Sequence, residues 1–145
     1  LKHLPMKKTD RIKVSVMVDA PLETVWAYWV TPKHITKWNQ ASPDWHTPRA
    51  TNDFKEGGHF NYRMEAKDGS VGFDFTGMYT EIKEKERIAY TLDDGRGVRV
   101  TFMPKDDGVL VEETFDPEDQ NSKDLQRAGW QAILDTFKFY VESHS

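Results

Sequence analysis

Residues 120–142 read QNSKDLQRAGWQAILDTFKFYVE, the one long helical pattern in a chain of 145 residues. Leu125, Ala128, Ala132, Ile133, Phe137, Tyr140 and Val141 recur at helical spacing on one side, and Trp130 and Leu134 widen the stripe. Lys123, Asp124, Arg127, Asp135, Lys138 and Glu142 mostly fall elsewhere and can face water. Asn121 or Ser122 can cap the start, where the first backbone amides lack partners, and Asp124 adds favourable charge there. So broad an aromatic face must be covered, and nearly everything between Phe54 and Phe115 reads as the sheet that covers it. Gly129 is out of character, because mid-helix Gly costs about 1 kcal/mol relative to Ala. Close packing against a neighbour is its expected reason; the alternative is room for a guest beside Trp130.

Upstream, residues 11–20 (RIKVSVMVDA) alternate, with Ile12, Val14, Val16 and Val18 on one face of a half-buried strand. Pro21 opens a helix with Leu22, Val25, Trp26 and Trp29 on one side, and Thr31-Pro32 caps and opens a second through His34, Ile35 and Trp38. Periodicity fails over residues 39–55, which are expected to be loop with a short strand at Arg49–Phe54, carrying Trp45 and His46. A meander follows. Phe60, Tyr62, Met64 and Ala66 alternate against His59, Asn61, Arg63 and Glu65. Asp68-Gly69 is a two-residue hairpin signal. Val71, Phe73, Phe75, Gly77 and Tyr79 share a parity that Ile82 breaks, so a bulge is expected near Gly77 or Glu81. Ile88, Tyr90 and Leu92, then Val98, Val100 and Phe102, then residues 109–115 complete the strands. A strongly curved sheet would hide Phe60, Tyr62, Phe75, Tyr90 and Phe102 against Ile133 and Phe137.

The totals bound the function. The length suits one domain, expected over residues 11–145, with residues 1–10 a disordered leader in which Met6 could be the natural start. A net charge of −4 argues against nucleic acid. The absence of cysteine removes disulfides, thiol catalysis and thiolate metal sites, and fits a reducing, cytoplasmic setting. No apolar run is long enough to span a bilayer. His34, His46 and His59 have no metal-ligand spacing, so no metal or cofactor is expected. Gly95-Arg96-Gly97 follows Asp93-Asp94 without a helix behind it and reads as a turn rather than a phosphate loop. Ser42, Ser70 and Ser122 fall in turns or caps, not in a nucleophile elbow.

The order of VDAPLETVWAYWVTPKHITKWN, FKEGGHFNYRMEAKDGS, FDFTGMYTEI, VRVTF and GWQAILDTFKFYVE resembles the bacterial proteins called activator of heat-shock-protein ATPase homologue-like, within the START-like (SRPBCC) superfamily. The likeness covers about residues 12–142. It implies an α+β helix-grip fold like that of the birch pollen allergen: a seven-stranded, curved antiparallel sheet wrapped around a long C-terminal helix, with two short helices after the first strand. It also implies an apolar small-molecule guest, lipid or aromatic, between sheet and helix. The eukaryotic chaperone activator that names the family carries a further N-terminal domain that this sequence does not show, so a chaperone partner is the less favoured expectation.

The family register turns Val111, Glu113 and Phe115 inward. A buried carboxylate is costly unless paired, and its pKa rises, which suits a general base or an anchor for a polar ligand group. Ligand contacts are expected from Trp38, Trp45, Tyr62, Met64, Phe75, Tyr90, Phe102, Glu113, Gly129, Trp130 and Ile133, around a cavity on the order of several hundred Å3. The leading expectation is a binding module. The alternatives are a cyclase- or hydrolase-type enzyme with Glu113 or His46 as acid or base, and a chaperone-associated interaction domain.

Overall fold

The computed structural model describes residues 10–144; the leader expected over residues 1–10 lies, but for Asp10, outside them. The chain runs β1 (Ile12–Val18), α1 (Leu22–Val30), α2 (Pro32–Trp38), β2 (Trp45–Asn52), β3 (His59–Ala66), β4 (Gly72–Lys83), β5 (Arg87–Leu92), β6 (Gly97–Lys105), β7 (Gly108–Phe115) and α3 (Lys123–His144). All seven strands form one antiparallel sheet in the order β1-β7-β6-β5-β4-β3-β2. The sheet curls into a half-barrel that grips α3, which is the helix-grip α+β fold.

Alternation decides what faces α3. In β1 the buried residues are Ile12, Val14, Val16 and Val18, and in β7 they are Val109, Val111, Glu113 and Phe115. Glu113 is therefore inward by strand parity, paired across the sheet with Val14 and Val100. The register of β4 on β5 shifts between Tyr79 and Glu81, at the expected bulge, and so both Tyr79 and Ile82 reach the inside. Gly77 lets Phe60 lie flat on the sheet, because a Cβ there would come within 2.8 Å of the Phe60 ring and 2.7 Å of the Thr91 carbonyl.

Four local expectations need correction. The stretch expected as loop becomes β2 from Trp45 onward, because its pairing with β3 outweighs its turn-rich composition. The Asp68-Gly69 hairpin is longer than two residues: the Ala66 amide donates to the Val71 carbonyl, and Asp68 accepts from the Ser70 amide inside the turn. Thr31 makes no side-chain cap; its amide closes α1 on Ala27, and its carbonyl accepts from His34 and Ile35 at the start of α2. On α3, Leu125 and Ala128 face away from the core, and Gln126 takes the inward place.

The inward face of α3 is Gln126, Trp130, Ile133, Leu134, Phe137 and Val141. Ser122 caps the helix by accepting from the Leu125 amide. Trp130 stacks on Phe115 with ring centres 3.8 Å apart, and Phe137 meets Trp29 and Trp38, each at 4.9 Å. Gly129 does not serve close packing: a Cβ there would meet nothing within 4 Å. Gly129→Ala is accordingly expected to stabilise the protein by about 0.5–1 kcal/mol, seen as a higher denaturation midpoint. A lower midpoint would mean that some neighbour needs the space that the absent methyl leaves.

Candidate functional site

A cavity of about 330 Å3 lies between the concave face of the sheet and α3. Its walls are aromatic because several inward strand positions and the helix pair all send rings into it. Trp29 of α1 and Trp38 of α2 stack at 4.8 Å at the closed end. Tyr62 and Met64 of β3, Phe75 and Tyr79 of β4, and Ile88 and Tyr90 of β5 form one wall. Trp130 and Ile133 of α3 form the other, with Trp130 edge-on to Phe75 at 6.2 Å.

Glu113 is the acidic side chain inside this apolar space. It is 5% exposed, and among the described residues no group donates a hydrogen bond to its carboxyl. Burial pushes its pKa from 4.5 up to about 8, so the group is mostly protonated at neutral pH. Tyr62 and Tyr90, both lining the cavity, have hydroxyls raised well above 10 by burial first, with the Glu113 carboxyl a further contributor to each. Both therefore remain neutral donors. Tyr79 is held from the far side, where the Asn52 amide donates to its hydroxyl at 3.3 Å and to the Val30 carbonyl at 2.8 Å.

The mouth is where the β3–β4 hairpin, the β5–β6 turn and the start of α3 meet, since the lining residues Phe73, Arg96, Glu118 and Gln126 all lie there and Phe73 is 46% exposed. Gln126 is buried and fixes the loop before α3: it accepts from the Glu118 amide and donates to the carbonyls of Glu118 and Asn121. Arg96 is tied to Asp94 at 2.8 Å, and the Glu118 carboxylate feels its charge as well. The mouth thus sets two carboxylates against one guanidinium.

A model of the family described as activator of Hsp90 ATPase homolog 1-like protein matches residues 19–142. The chain belongs to this family. An AHSA1-like protein from Aeromonas hydrophila, solved by NMR in solution, is 45% identical over 92% of each chain, with a TM-score of 0.87. The solution structure of Chr148 from Cytophaga hutchinsonii is 50% identical over 92% of each chain, with a TM-score of 0.77. The crystal structure of NE0264 from Nitrosomonas europaea shares only 15% identity but superimposes with a TM-score of 0.82 over 98% of this chain and all of its own, which shows the fold alone. A comparison with curated proteins returns no match. The family and the curled sheet with its buried aromatics fit a START-like domain of the ligand-binding kind.

In this Hsp90-ATPase-activator-like chain the cavity gathers Trp38, Tyr62, Met64, Phe75, Tyr90, Glu113, Trp130 and Ile133 from the residues singled out in the sequence. Three others do not line it. Phe102 is solid core, wedged between Trp26 at 5.1 Å and Trp29 at 5.9 Å where α1 covers β6. Trp45 begins β2 opposite Ala66, at the end of the sheet, where its ring meets the rim residue Phe73 at 6.0 Å. Gly129 sits at the edge of the inward face of α3 and takes no part in the lining. His46, considered for an acid–base role, is not among the lining residues either. It pairs across the sheet with outward-facing Glu65, whose carboxylate lies 3.8 Å from its ring. Among the described residues no three His, Asp or Glu side chains cluster to hold a metal ion, and no helix is long and apolar enough to cross a membrane.

Sequence reasoning missed Trp29, Phe54, Tyr79 and Gln126 as lining residues. Tyr79 was legible by its shared parity with Phe75, and Trp29 by its place in the α1 stripe. Gln126 carried no signal, because its side chain spends its polarity on a loop that periodicity cannot see.

Proposed function

We propose that this protein is a binding module that holds an apolar, aromatic small molecule in the cavity between sheet and α3. The observation that carries this reading is the cavity itself: about 330 Å3, walled by tryptophan, tyrosine and phenylalanine rings, with one carboxyl left for a guest to satisfy. That volume falls at the lower end of the roughly 300–1,000 Å3 typical of small-molecule sites, and the lining has the usual make-up of apolar walls with few polar groups. Trp38, Tyr62, Met64, Phe75, Tyr90, Trp130 and Ile133 supply the contact area, and Glu113 supplies orientation. A guest that leaves Glu113 unpaired forfeits a hydrogen bond in a dry site, which is how the pocket discriminates. The whole domain over residues 11–145 serves this one site, and the cysteine-free chain suits a reducing cytoplasm.

Catalysis is the second reading, favoured by one fact: a carboxyl with a pKa near 8 is tuned for proton transfer near neutrality. His46 offers it no help from the outer face. A chaperone partner has less support. The most exposed apolar side chains on α3, Leu125 and Phe139, lie roughly 21 Å apart along the helix, and the exposed Phe73 belongs to the mouth of the cavity.

The test is an amide- and indole-resolved NMR titration with naphthalene-type aromatics. Saturable shifts are expected at Tyr62, Tyr90 and Trp130. Ile133→Trp, which fills the cavity, is expected to weaken binding by about tenfold or more with the fold retained. A well-dispersed spectrum with no saturable shift for any guest would reject the binding reading.

A further inference from the structure

Resting on that reading, we infer that the guest is an organic cation: a hydrophobic amine whose ammonium group reaches Glu113 while its aromatic or aliphatic body fills the ring-lined cavity. Two features of the geometry point this way. The cavity wall holds a buried carboxyl that no group pairs with among the described residues, although a carboxylate can accept several hydrogen bonds. The same cavity is lined by Tyr62, Tyr79, Tyr90 and Trp130, and aromatic ring faces attract cations and do not attract anions.

Charge along the route agrees. The hydroxyls that feel Glu113 are the neutral ones of Tyr62 on β3 and Tyr90 on β5, and Tyr79 on β4 lines the same cavity; the strand neighbours of Glu113, Val14 of β1 and Val100 of β6, carry no charge. From α1, α2 and α3 the lining brings Trp29, Val30, Trp38, Gln126, Trp130 and Ile133, none of which titrates here. The basic lining residue is Arg96 at the mouth, and Asp94 already holds it at 2.8 Å. With Glu118 beside Arg96, a carboxylate guest finds no unpaired cation among the described lining residues, whereas an ammonium guest meets Glu118 at the mouth and Glu113 within.

Binding is then linked to protons. The amine enters charged, and Glu113 gives up its proton to solvent as the ion pair forms. The affinity of the amine therefore rises with pH as long as free Glu113 remains protonated, by about tenfold or more between pH 6 and pH 8. No covalent step is involved.

The experiment compares 2-naphthylmethylamine, 2-methylnaphthalene and 2-naphthoate by calorimetry at pH 6 and pH 8, in buffers of different ionisation enthalpy. The amine is expected to bind about tenfold or more tighter than methylnaphthalene at pH 8, to release close to one proton at pH 6, and to leave naphthoate weakest. In Glu113→Gln the preference for the amine is expected to vanish while methylnaphthalene still binds. Methylnaphthalene or naphthoate binding as tightly as the amine, or amine binding without proton release, would overturn the inference and leave the cavity reading standing. Failure of all three to bind would remove both.

Discussion

Glu113→Gln is expected to gain stability over the wild-type protein by about 1.4 kcal/mol for each pH unit between pH 5 and pH 8, reaching about 4 kcal/mol at pH 8. The sign follows from the shift. Unfolded, the Glu113 carboxyl ionises near 4.5; folded, burial holds it protonated until about 8. Between those values the native state carries a proton that the unfolded state has lost, so rising pH favours unfolding until the folded group ionises too. Glutamine keeps the shape without the charge and removes that term. His34 works in the opposite direction below pH 6.5, because burial lowers its pKa and the charges of Lys33 and His144 lower it further. The difference between the two proteins isolates Glu113 from it. Denaturant midpoints measured on both across the range give the answer, and parallel pH profiles would show that Glu113 ionises in the folded state as it does in water.

Phe137→Ala carries the other large effect, a loss of about 3–5 kcal/mol. Phe137 is wholly buried, and its ring meets both Trp29 and Trp38 edge-on at 4.9 Å. These contacts join α3 to α1 and α2, so the substitution opens a void at the closed end of the cavity and loosens the pair of tryptophans that ends it. Guest affinity is expected to fall along with stability. A cost under about 1 kcal/mol would mean that the helix pair collapses into the space, which would place the cavity's end elsewhere.

The fold was legible because its periods are clean. Ile12 to Val18 and Val109 to Phe115 alternate without fault; parity put Glu113 on one face with Val111 and Phe115, and the family resemblance supplied which face turns inward. The α3 stripe was legible from Trp130 onward but not at its start, where Leu125 and Ala128 looked like core and Gln126 carried no signal. The reason is that Gln126 answers to backbone groups of the loop before it, and a hydropathy pattern ranks apolar area only. Trp45 and His46 were misjudged as loop because Ser, Pro and Asp around them signal turns, while the pairing with β3 that makes β2 is a long-range matter. Phe102 shows the limit for the site. Parity places it inside correctly, but whether an inward ring faces a void or another ring depends on where α1 lands, and Trp26 and Trp29 land on it.

The central claim is that a guest enters between the sheet and α3. Intermolecular NOEs place it most directly: the protein labelled with 13C and 15N, saturated with unlabelled 2-methylnaphthalene, is read for contacts between guest methyl and ring protons and protein side chains. The account predicts contacts to Tyr62, Phe75, Trp130 and Ile133 together. Contacts confined to exposed residues such as Leu125 or Phe139 would contradict it.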